Sequence, residues 1–116
     1  MRETEKDPLR IDHMLEAISR IKLFLKNKDT AAALDDEILF FAIVKNIEII
    51  GEAAFMLTKE FKEKHSNIPW RQIISMRHVL VHDYYRNSPK EVFKVCREDI
   101  PHLEKSLQIL QNIEIR

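Results

Sequence analysis

Arg77, His78, His82, Asp83, Tyr84 and Tyr85 fall within nine consecutive positions of a chain that otherwise reads as helical packing. A histidine titrating near neutrality can take a proton from an attacking hydroxyl or give one to a leaving oxygen. An arginine can hold a phosphate and stabilise the charge that grows on it. Together Arg77 and His82 describe a phosphodiester site. RNA carries its own nucleophile in the 2′-hydroxyl, so no metal is required. One histidine does half of the acid–base work, and a two-fold dimer presenting two copies would supply the other half. The alternative, an arginine and a histidine that merely finish a helix, stays open on these residues alone.

Other chemistries fit less well. His78 and His82 have the i,i+4 spacing of two metal ligands on a helix. The residue after the first histidine is Val79 rather than the glutamate of a zinc-protease helix, and a third ligand from Asp83, His102 or Cys96 has no recognisable spacing. No metal or other cofactor is expected. With a single glycine the chain has neither a nucleophile elbow for Ser75 or Ser88 nor a phosphate-cradling loop. The lone Cys96 has no partner for an internal disulfide and reads as a small core residue.

Position sharpens the question of Arg77. Read as one α-helix, the stretch places Arg77 within an apolar stripe of Trp70, Ile73, Ile74 and Val81. A guanidinium there needs a carboxylate, a carbonyl cluster or a ligand phosphate. His82 would be turned roughly 140° away from Arg77 on an unbroken helix. The two share a site only if the helix ends near His82 or a second chain contributes one of them. From Arg71 to Lys90 there are four cations (Arg71, Arg77, Arg86, Lys90) against one acid, Asp83, on a chain of zero formal net charge. A local cationic site on a neutral body suits a compact phosphate contact and argues against indiscriminate nucleic-acid binding.

The elements that must position these residues are helical. The 116 residues make one domain, 1–116, with 45% hydrophobic and 33% charged residues and only one glycine. No run approaches a membrane span, and the polar start is unlike a secretory signal, so a cytoplasmic location with no membrane partner is expected. Asp7-Pro8 predicts the first helix, with Asp7 as N-cap, carrying Ile11, Met14, Leu15, Ile18, Ile21 and Leu25 on one face. After a break at residues 27–30, Asp35-Asp36-Glu37 predicts the start of a central helix running to about Lys64, apolar on most sides except a strip holding Lys45, Glu48, Glu52 and Lys59. That strip reads as a solvated face or, in the sharper reading, as the source of an acid, Glu52, that pairs with Arg77. Gly51, costly in mid-helix, implies close approach of another helix. Pro69 starts the third helix, and Ser88-Pro89-Lys90-Glu91 is a capping box for the last. Pro101 predicts a kink or a restart capped by Asp99. The expectation is an all-α bundle of four helices, or five if the break at Pro101 is complete.

The run from Pro69 to Tyr85, with Arg77, four residues, His82, one residue and Tyr84 at its centre, resembles the core of HepT-like proteins, the DUF86 branch of the HEPN superfamily. Ile50-Gly51-Glu52-Ala53-Ala54 resembles that family's second recurrent motif, and the similarity extends from the first helix through Asp99-Ile100-Pro101. The resemblance implies a HEPN-like bundle forming a two-fold homodimer, with the arginine–histidine motifs of both chains in one cleft. It also implies a metal-independent endoribonuclease, the toxin of a type VII toxin–antitoxin pair whose antitoxin is a minimal nucleotidyltransferase. Arg77 and His82 then take the catalytic places, and Tyr84 the place of the adenylylated tyrosine. His78 stands where asparagine commonly follows the arginine; His78, Glu52 and Asp83 are carried over as supporting positions only. The second function class is a non-catalytic module that binds a nucleotidyltransferase or a nucleotide without cutting RNA.

Overall fold

The computed structural model describes residues 3–79 and 89–114, with side chains over 4–77 and 89–113. A 3₁₀ turn, Glu3–Lys6, leads into α1 (Asp7–Leu25), α2 (Thr30–Asp35), α3 (Glu37–Met56), α4 (Lys59–Lys64), α5 (Trp70–Val79) and α6 (Pro89–Glu114). Among the described residues there is no strand, so the chain is all-α. The central element is α3, which packs against both α1 and α5, while α6 closes over α1. Ile11, Met14, Ile18 and Ile21 of α1 meet Ile43, Ile47 and Ile50 of α3 and Phe93, Ile100 and Leu107 of α6 in one buried cluster. Each fully buried side chain of this size contributes on the order of 1.5–3 kcal/mol. From α5, Trp70 and Ile73 are buried and Ile74 packs partly against the same core.

Three expected boundaries are corrected. Asp7 does not cap α1: the N-cap position is Lys6, with no side-chain cap. The Asp7 carboxylate is instead buried and accepts from the backbone N–H of Thr58 at 3.0 Å and from its hydroxyl at 2.7 Å. The central helix stops at Met56 rather than near Lys64, because Thr58 begins a separate helix by accepting from the Phe61 N–H. A cap that is itself held by a buried carboxylate makes the turn between α3 and α4 the better solution than a straight continuation. Finally, α6 is continuous through Pro101, with no restart at Asp99. Proline frees the carbonyl of Arg97, and both Arg97 and Pro101 are exposed, where water can satisfy it. Ile100 and Leu103 on either side of Pro101 are buried and keep the helix on the core. The Ser88 cap lies outside the described residues.

Two contacts set the register of α1 against α3. Asp7 meets Thr58, and the Arg20 Nε donates to the Asn46 side-chain oxygen at 2.7 Å. Thirteen residues forward on α1 thus correspond to twelve back along the α3 side, an antiparallel pair in near-perfect step.

Candidate functional site

Arg77 is held by three successive features of one turn of α3. Gly51 comes first: a Cβ added there would overlap the Arg77 Cβ and lie 3.3 Å from its Cγ and 3.4 Å from its Cα. The absence of a side chain at Gly51 is what allows α5 to approach so closely, as its mid-helix position implied. Glu52 comes next, accepting from the Arg77 Nη1 in an ion pair. Phe55 completes the set, with the guanidinium carbon 5.2 Å from its ring centroid, inside cation–π range. The Arg77 side chain is 30% exposed and that of Glu52 56%. At such exposure an ion pair adds about 0–1 kcal/mol to stability, so its consequence is orientation. A guanidinium has five N–H donors and can hold a phosphate oxygen while one donor remains on a carboxylate.

The aligned guanidinium opens onto a groove of about 670 Å³. Its walls are Arg10, His13, Glu16 and Arg20 from α1, Lys45, Glu48, Ile49, Glu52, Ala53 and Met56 from α3, and Arg77 from α5. Arg77 and Glu52 are brought together as expected from the sequence. Of the expected polar strip, Lys45, Glu48 and Glu52 line the groove, with Lys45 and Glu48 paired at 3.8 Å, whereas Lys59 falls on α4 and pairs with Glu63. Arg10 and His13 were not singled out by sequence reasoning; their signal is the three-residue spacing, with Glu16 continuing it, on the polar side of an otherwise core-facing helix. His82, Asp83, Tyr84 and Tyr85 lie outside the described residues. His78 lies on α5, and its side chain is outside the described set.

Elsewhere the chemistry is poorer. A second groove of about 690 Å³ between α5 and α6 is lined by Glu98 and Asp99, with no lysine or arginine among the described residues of its walls. Cys96 is buried and its thiol is pushed up from 9.0 to about 12 by burial, with Arg97 opposing, so it is no nucleophile at neutral pH. Among the described residues no cluster of three or more His, Cys, Asp and Glu is arranged to hold a metal ion, and no helix is long and apolar enough to cross a membrane.

Comparison with known families gives a match over residues 14–110 to the model described as ribonuclease HepT-like. The chain belongs to the ribonuclease HepT-like family. It is thus an enzyme of the ribonuclease class, in agreement with the endoribonuclease that the resemblance of the run from Pro69 to Tyr85 implies. This HepT-like chain is 36% identical over 102 residues to a protein of Caldanaerobacter subterraneus subsp. tengcongensis named as a candidate RNase, covering 87% of this chain and 91% of that one. It is 34% identical over 111 residues to the probable ribonuclease HepT of Thermococcus cleftensis, covering 96% and 99% of the two chains. A candidate RNase of Methanocaldococcus jannaschii is 29% identical over 97 residues, 84% of this chain and 89% of that one. No solved structure matches the chain significantly.

Proposed function

We propose that this HepT-like chain is the toxin of a type VII toxin–antitoxin pair, a metal-independent endoribonuclease that cuts through Arg77 and His82. The observation that carries the reading is the posture of Arg77, a guanidinium oriented by Glu52 and Phe55 at the edge of an open polar groove. In this mechanism Arg77 binds the scissile phosphate and stabilises its added negative charge in the transition state. The RNA 2′-hydroxyl attacks phosphorus, and the bond to the 5′-oxygen of the next nucleotide breaks. One imidazole takes the 2′-hydroxyl proton and a second protonates the leaving oxygen. Two copies of His82 in a two-fold homodimer supply both roles. The half-exposed Phe55 and Met56 beside the groove suit such a dimer, since they place apolar surface next to the site. Tyr84, two residues after His82, is the position at which a nucleotidyltransferase antitoxin would attach AMP.

Incubation of purified protein with RNA tests the reading. Cleavage should persist in EDTA, leave a 2′,3′-cyclic phosphate and disappear in His82→Ala. Cleavage abolished by EDTA would overturn the metal-independent mechanism, and RNA left uncut by the purified, unmodified protein alone, when that protein still binds a nucleotidyltransferase, would favour the non-catalytic module.

A further inference from the structure

The register of α1 on α3 puts two unassigned side chains beside Arg77. His13 is six residues beyond Asp7 and level with Glu52; Arg10 is three beyond Asp7 and level with Phe55, the ring that carries the Arg77 guanidinium. Counting from the other fixed contact, Arg20 with Asn46, gives the same levels to within one residue, or about 1.5 Å along the axis.

The charges of the groove are unequally committed. Lys45 pairs with Glu48, Arg77 with Glu52, and the Arg20 Nε with Asn46. Arg10 is different: its Nε is shut off from solvent and has no acceptor among the described residues. The groove acid on its own helix, Glu16, is six residues away, about 9 Å along the axis. A buried guanidinium N–H without an acceptor is costly, and a charged acceptor removes that cost. That Nε is out of reach of a groove ligand, but the half-buried Arg10 lines the groove, and its terminal N–H groups, likewise without an acceptor among the described residues, can donate to an anion there.

We propose that Arg10 binds a second phosphate of the RNA strand, the neighbour of the one held at Arg77, with His13 lining the path between them. The inference rests on the ribonuclease reading of the same groove. Its chemistry is a strand with regularly spaced anions laid across one turn of α3, with one arginine on each side of that turn. Arg10 is a positioning residue here: it fixes which stretch of strand lies over the site and does not touch the reacting atoms.

The test is binding of a single-stranded 2′-O-methyl RNA oligonucleotide, which lacks the nucleophile, followed by fluorescence anisotropy across a salt series. Each phosphate contact on a single strand contributes about 0.7 to the slope of log K against log salt. Arg10→Gln should weaken binding several-fold at low salt and lower the slope by about 0.7. Arg10→Lys, which restores the charge, should restore the slope, and Lys105→Gln, the same charge change on an exposed stretch of α6 outside the groove, should leave it unaltered. With cleavable RNA, Arg10→Gln should raise KM and leave kcat near the parent value. An unchanged slope in Arg10→Gln, or an equal fall in Lys105→Gln, overturns the proposal while leaving the ribonuclease reading intact. An unchanged slope accompanied by lost binding to the nucleotidyltransferase would assign Arg10 to a protein interface and overturn it too. A parent protein that neither binds nor cuts RNA would overturn both.

Discussion

A Cβ built on Gly51 would overlap the Cβ of Arg77, so a side chain at position 51 does not fit without moving α5. This contact links the helix that carries the arginine to the helix that carries its carboxylate partner. It makes Gly51→Ala informative because two effects have opposite signs. In a free helix the change would stabilise by about 1 kcal/mol. Overpacking against the Arg77 Cβ, an atom that moves only with the backbone, costs about 1–3 kcal/mol. Net destabilisation with an unchanged m-value in urea is expected, together with weakened RNA cleavage. A more stable Gly51→Ala protein would contradict the close approach.

Glu52 orients Arg77 and takes no proton in the proposed mechanism. Glu52→Gln should change the unfolding free energy by less than about 1 kcal/mol, because the pair is partly exposed. Cleavage should fall by about ten- to a hundredfold, the range expected when a positioned group is misplaced. Stopped or steady-state cleavage assays beside urea titrations would separate the two effects.

Tyr84→Phe should retain most RNase activity and escape silencing by the nucleotidyltransferase with ATP. In the proposed reading, AMP on Tyr84 is a bulky anion that competes with the RNA phosphate for Arg77. Intact-protein mass spectrometry should show one added AMP mapping to Tyr84. Modification mapping to Tyr85 alone would reject the assignment.

Asp7 holds the start of α4 and the register of α1 at once. Asp7→Ala removes two acceptors from a buried site and leaves the Thr58 N–H and hydroxyl without them. A loss of about 1–3 kcal/mol in urea unfolding is expected. Because Arg10 and His13 lie within two turns of Asp7, RNA affinity should fall with it.

Cys96 predicts the alkaline limb of stability. Its thiol is raised from 9.0 to about 12 in the fold, so the native state keeps a proton that the unfolded chain releases. The contribution is complete below pH 9 and declines progressively toward pH 12. Unfolding free energies measured across that interval should fall more steeply than those of Cys96→Ala. Alkylation at neutral pH should require unfolding, since the native thiol is both buried and protonated.

Much of this protein is legible in the order of its residues, because helical periodicity is local. One glycine and sustained apolar spacing made an all-α chain, and the motif around Arg77 pointed to phosphodiester chemistry. The Glu52 partnership is one of two readings the sequence leaves open, since an arginine on an apolar stripe can take a carboxylate, a carbonyl cluster or a ligand phosphate and the acids of the central helix can equally face water. What tertiary structure decided was where helices stop and which polar faces converge. The turn at Leu57 depends on a carboxylate fifty-one residues away from Thr58, a contact that no local rule encodes. Continuity through Pro101 likewise depends on which side of α6 faces water and on the core beneath Ile100 and Leu103. Arg10 and His13 lie outside the apolar set of the first helix, and nothing local gives them a partner. Only the antiparallel step between α1 and α3, set by Asp7 with Thr58 and Arg20 with Asn46, brings them to the groove of Arg77. Spacing along a helix defines a face, and the register between helices decides what that face meets.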